Sequence, residues 1–142
     1  MNIRISILAI ACACLIAGCG KGLEQQLVGT WNGPTNTKLE LKDGKVFVLT
    51  AGPSALGGDW KTTGDKSIHL DVKTIGGVDK KTALDKQMKD AEKFIPKDKI
   101  TEARKQIEDT FNQLDFNYDK DKDTLNGSAG PLKSATFTKV KA

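Results

Sequence analysis

Few residues in this 142-residue chain have types and spacing that could do chemistry. There is one histidine, His69. On an alternating strand it would share an outward face with Asp71 and Lys73, where a lone imidazole meets solvent. A Ser-His-Asp triad would need His69 as its base, and no Gly-x-Ser-x-Gly elbow supplies the nucleophile. Zinc or copper ligation by the usual set would need a second imidazole or a free thiol. Asp119, Asp121 and Asp123 alternate like the acids of a calcium loop. Thr124 then stands at the sixth position, where Gly is needed, and Gly130 at the twelfth, where Glu is needed. Gly52, Gly57 and Gly58 are not followed by the Gly-Lys-Ser/Thr of a phosphate loop. Asp115 and Asp119 could form an acid–base pair, but on one strand they alternate with apolar residues and face water. The sequence therefore assigns no catalytic residue, no metal and no cofactor, and a non-enzymatic protein is expected.

All three cysteines, Cys12, Cys14 and Cys19, lie near the start. Arg4 precedes an apolar run from Ile5 to Ala17, too short for a membrane-spanning helix of roughly 20 residues. A charged start, a short apolar core and small residues at its exit describe a secretory signal peptide. Ile16-Ala17-Gly18-Cys19 resembles the lipobox of bacterial lipoproteins, with Ile where Leu is usual. The resemblance implies a signal peptide over 1–18, cleavage between Gly18 and Cys19, and a diacylglyceryl group on Cys19. The bilayer is then a partner through that lipid. In that family an Asp after the lipidated Cys favours the inner membrane, so with Gly20 there the resemblance implies the outer membrane. With its cysteines in the leader or at its end, the mature chain has no disulfide. Residues 19–26 are expected to be the lipidated Cys and a polar tether, whose seven residues after Cys19 reach at most about 25 Å.

Charge narrows the partners further. The net charge is +4, from 22 basic and 18 acidic residues intermixed along the chain. That mixture lacks the clustered positive charge of a nucleic-acid binder. Lys38, Lys42, Lys45, Lys139 and Lys141 could make one basic face toward anionic lipid or murein, or could protect strand edges from pairing.

The elements that must position these residues are mostly strands. Leu39 and Leu41 alternate over 37–42, Asp43-Gly44 is a two-residue hairpin turn, and 45–50 is β-branched and apolar. Residues 52–58 are expected to be a loop. Ile68, Leu70 and Val72 alternate in the next strand, as do Leu114, Phe116 and Tyr118 further on, and 135–141 is the last strand. Between them, residues 79–113 change period. Leu84, Met88, Ala91 and Ile95, then Ile100, Ala103, Ile107 and Phe111, recur at helical spacing around Pro96, with opposite charges four apart. The expected fold is α+β: a single domain over 27–142, an antiparallel meander of about eight short strands, closed as a small barrel or stacked as a sandwich. A two-helix insertion precedes the last strands.

Gly29-Thr30-Trp31, and Gly58-Asp59-Trp60 with Gly64-Asp65-Lys66-Ser67-Ile68, resemble the opening and a hairpin of lipocalin-like bacterial lipoproteins. In that family the Trp closes one end of a small barrel. The resemblance implies a carrier of a small apolar ligand as the alternative to a non-catalytic binding or structural module of the cell envelope with a protein partner. Trp31 and Trp60 are the candidate contacts with ligand or partner, core packing being the other role open to each.

Overall fold

Side chains that alternate along the sequence do so because a pleated strand sends neighbours to opposite faces. In the computed structural model, which describes residues 22–141, every alternating apolar set points inward. Nine strands form: β1 (Gly29–Asn32), β2 (Thr37–Lys42), β3 (Val46–Ala51), β4 (Ser54–Thr62), β5 (Ser67–Ile75), β6 (Val78–Asp79), β7 (Asp115–Asp119), β8 (Thr124–Gly127) and β9 (Thr136–Lys139). All pairings are antiparallel. Eight strands close in the ring β1-β2-β3-β4-β5-β7-β8-β9, with β9 returning to β1 and the short β6 appended to β5. Of the two architectures the sequence allowed, the barrel is the one formed.

The interior is one continuous apolar cluster built from the ring strands and the segments beside them. Leu39, Leu41, Ile68, Leu70, Phe116 and Phe137 are each at most 1% exposed. Phe116 and Phe137 meet edge to face at 5.5 Å. Among the described residues no polar or charged residue is buried. Eight strands enclose a space that side chains can just fill.

Among the described residues, three helices of α type accompany the barrel: α1 (Leu23–Leu27), α2 (Lys80–Ala91) and α3 (Lys97–Phe111). The expected insertion over 79–113 is α2 and α3, joined at Pro96. Asp79 caps α2 by accepting from the Thr82 amide at 3.2 Å. Leu84 and Met88 of α2 and Ile100 of α3 are buried outside the barrel cluster. α2 packs on β5 and β6, and α3 chiefly on α2. Ile95, expected on the helical stripe, lies past the end of α2 and is exposed. Of the expected pairs four apart, Arg104–Glu108 forms at 3.2 Å. Asp85 instead reaches across the hairpin to Arg104, which binds the two helices together.

Several boundaries differ from the sequence reading, each for a local reason. Residues 52–58 are not a loop: Gly52-Pro53 makes the turn and β4 begins at Ser54. The glycines at 57 and 58 serve a β-bulge, where the register with β5 shifts and the backbones approach closely. A Cβ on Gly58 would stand 2.0 Å from the Asp71 carbonyl oxygen. The Asp43-Gly44 turn takes in Lys45 as well, with Gly44 and Lys45 at φ of +79° and +63°, so β3 starts at Val46. From Leu23 onward the expected tether is α1, with Leu27 fully buried and Leu23 packed on the core. The expected leader over 1–18, its Gly18–Cys19 cleavage point and the lipidation site Cys19 lie outside the described residues.

The bulge gives a direct test. Gly58→Ala should lower unfolding stability by about 1–3 kcal/mol, because carbonyl and methyl cannot share that space. Gly64→Ala, whose Cβ would meet nothing nearer than the Ser67 hydroxyl at 4.0 Å, should stay within about 0.5 kcal/mol. Urea titration of both variants reads the difference.

Candidate functional site

Hairpin topology sends alternate turns to opposite ends of the barrel, and the two ends differ chemically. One end carries the turns at 43–45, 63–66 and 120–123, rich in Asp and Lys, together with α1. The other carries the connections at 33–36, 52–53, 76–77 and 128–135, made of Gly, Pro, Ser, Thr, Asn, Ala and Leu with Lys133 as their one charge, and it is also where the charged insertion 80–114 leaves and returns, with the Ser128 amide donating to the Asp115 carbonyl at 2.9 Å.

α1 closes the charged end. Five residues cannot hold a helix in water, so tertiary contacts must hold this one. The Trp31 indole Nε1 donates to the Leu27 carbonyl at 2.9 Å, fixing the C-terminal end of α1 to β1. Lys45 pairs with Glu24, and Lys139 donates to the Gln26 carbonyl. The same two lysines stand over the indoles, Lys139 5.4 Å from Trp31 and Lys45 5.7 Å from Trp60. Such cation–π contacts are worth about 0.5–1 kcal/mol where exposed. Trp60 Nε1 donates to the Lys42 carbonyl at 3.2 Å. Thus both tryptophans are structural parts of the plugged end. Trp31 is fully buried and offers no surface to a partner. Trp60, 2% exposed, reaches only the walls of two outer clefts.

Two shallow clefts flank the plug. One of about 200 Å³ lies between Leu23, Gln26, Asp65, Lys66, Tyr118 and Lys120. The other, about 120 Å³, lies on the Glu24–Lys45 side against Trp60. Tyr118 stacks edge to face on Trp31 at 5.9 Å and donates its hydroxyl to Asp123 at 3.1 Å. Burial, and then the Asp123 carboxylate, push its phenol up to about 12.

A cleft of about 410 Å³ lies on the outer face of β4 and β5, lined by Asp59, Trp60, Lys61, His69 and Asp71. His69 does face outward, but it is not simply solvated. Its Nδ1 lies 2.6 Å from Asp115 Oδ1, across the β5–β7 seam where the two residues are cross-strand partners. Ser67, two residues back on the same strand face, donates to Asn117 at 3.0 Å rather than to the imidazole. Asp71 is held below its ordinary value first by its hydrogen bond with Lys73, which lies at 2.8 Å. Asp119, the other member of the expected carboxylate pair, accepts the amides of Asp121 and Lys122 and shapes their turn. Among the described residues no group of three or more His, Cys, Asp or Glu is placed to hold a metal ion. The His69–Asp115 contact joins residues 46 apart in sequence, and only strand register brings them together.

Tyr118 is the only tyrosine, so its titration can be followed alone. In the folded protein its phenolate absorbance should rise near pH 12, against about 10 in the unfolded chain. A folded value above the unfolded one means that this group's stability is intact below about pH 10 and is lost as pH rises toward 12. Tyr118→Phe should remove that part of the alkaline loss, measured as the difference between the two stability–pH curves.

No family model, curated protein or solved structure matches the chain.

Proposed function

We propose that this protein is a lipid-anchored cell-envelope lipoprotein, held in the outer membrane through diacylglyceryl-Cys19. It acts as a non-catalytic binding or structural module toward an envelope protein. The lipobox-like Ile16-Ala17-Gly18-Cys19 supports the anchor. Among the described residues no helix is long and apolar enough to cross a membrane.

The observation that carries the module reading is the apolar cluster of buried side chains inside the closed barrel, beneath a plugged end. A small-molecule pocket needs space and a few convergent polar groups. The barrel cluster offers inward Leu, Ile, Phe and Trp in mutual contact, and the clefts measured lie on its outside. This supports recognition by outer surfaces over carriage of an apolar ligand in the barrel, even though the closed meander is compatible with a lipocalin-like architecture. α1 begins four residues after Cys19, so the plugged, charged end would face the lipid. The end opposite would face away. Its turns at 33–36, 52–53, 76–77 and 128–135 carry one charge, Lys133, a composition like that at the core of protein interfaces, and the charged insertion borders them.

Two measurements test this. The native chain should incorporate labelled palmitate and sediment with membranes, and Cys19→Ala should abolish the label. Residues 20–142, exported behind a conventional cleavable signal, should be folded and soluble. A native chain that stays unlabelled removes the anchor. Photo-crosslinkers placed at Ser128 or Lys133 should give a defined protein adduct that a crosslinker at Lys122, on the plugged end, does not. Equal or absent adducts at both ends would remove the partner assignment.

A further inference from the structure

The connection between α2 and α3 presents the most exposed large hydrophobic side chain among the described residues. Phe94 is 86% exposed, and Ile95 beside it is 41% exposed. Both are held on a hydrogen-bonded turn, with the Phe94 and Ile95 amides donating to the Ala91 carbonyl at 2.9 and 3.0 Å. The tip is therefore a fixed projection. Other exposed apolar residues, Val46, Val78 and Val140, lie singly on or beside strands, and isolated ones are ordinary.

We infer that this tip is a lipid-contacting element: Phe94 and Ile95 enter the interfacial layer of an anionic membrane, and the lysines beside them meet its headgroups. Lys93 and Lys97 bracket the apolar pair directly, and neither forms an ion pair among the described residues. Lys89 and Lys99 lie one step further out. The stretch 89–99 carries four lysines against three acids, a small excess whose positive members sit nearest the apolar tip. Two convex side chains make too little area for a stable protein interface, which needs about 800 Å² per partner. Insertion into a fluid interface needs no complementary groove. The long lysine side chains can lie along the acyl boundary with their ammonium groups at the headgroups. The inference does not depend on the Cys19 anchor, and its test omits that anchor.

Residues 20–142, which contain the whole closed barrel and its core, are prepared with Phe94→Trp. Trp31 and Trp60 are buried, so a lipid-dependent change in emission reports the new indole. With vesicles containing phosphatidylglycerol, the emission should shift to shorter wavelength and be quenched by brominated acyl chains, with a smaller effect on wholly zwitterionic vesicles. In a sedimentation assay, Phe94→Ser with Ile95→Ser should reduce vesicle binding at least tenfold while leaving the unfolding midpoint in place. Lys93→Glu with Lys97→Glu should remove the preference for anionic lipid. Emission that stays at the water-exposed position in anionic vesicles overturns the proposal. So does a shift that develops without lipid as protein concentration rises, which would make the occupant a second copy of this chain.

Discussion

The hydrogen bond from the Trp31 indole to the Leu27 carbonyl is the constraint on which the plugged barrel depends. It fixes a five-residue helix that has no stability of its own. It sets the indole where Tyr118 can stack against it and where Lys139 can lie over it. β1, which carries Trp31, is also the strand at which the ring closes, pairing with β2 on one side and β9 on the other. The β1–β9 ladder joins Trp31 to Lys139 and Asn32 to Thr138, with the Val140 amide donating to the Thr30 carbonyl beyond it. A seam this short gains from the lysine that reaches from β9 to the Gln26 carbonyl of α1. Plug and closure are one device, with Trp31 as its shared member.

The second short seam explains where the helices are inserted. β5 spans nine residues, and its ladder with β7 covers Ser67, Ile68 and His69, flanked by the Leu70 amide on the Leu114 carbonyl and the Tyr118 amide on the Lys66 carbonyl. Beyond them β5 continues with β4 and β6 as partners. The chain can therefore leave after β6, run through α2 and α3, and return to β7 at Asp115 without opening the ring. His69 and Asp115 sit at the last ladder position of this seam, beside the Leu70–Leu114 hydrogen bond, so their contact helps tie the strands where the insertion parts them. That is a structural role for the lone histidine, and it accounts for its partial burial.

Much of the barrel was legible because period two is a local property. Leu39 with Leu41, Ile68 with Leu70 and Val72, and Phe116 with Tyr118 all turned inward as their alternation required. The helical pair was legible from period 3.6 and Pro96. What local pattern could not show were features made by distant partners. Leu23 and Leu27 are one helical turn apart, too brief a pattern to distinguish a helix from a polar tether. Only Trp31, Lys45 and Lys139 make it a helix. Gly57 and Gly58 carry the composition of a loop, and their close approach to Asp71 is visible only once β4 lies on β5. Trp60, which local context left open to a ligand, was committed to the core by its inward position opposite Leu70.

The docking of α1 alters the geometry of the proposed anchor. A free tether over 20–26 would let the domain roam up to about 25 Å from the lipid. With Leu23 already packed on the barrel, only residues 20–22 separate Cys19 from the fold, and the reach shrinks to about 10 Å. With the proposed anchor in place, the turns at 43–45, 63–66 and 120–123 would stand among the headgroups, where their mixture of Asp and Lys can be solvated at little cost whatever the sign of the surface. The Gly- and Pro-rich connections are held at the far side of the barrel. A domain tied as closely as the proposed anchor implies would be oriented as well as localised, and a fixed orientation would let one barrel end serve the lipid while the other is kept for the proposed partner.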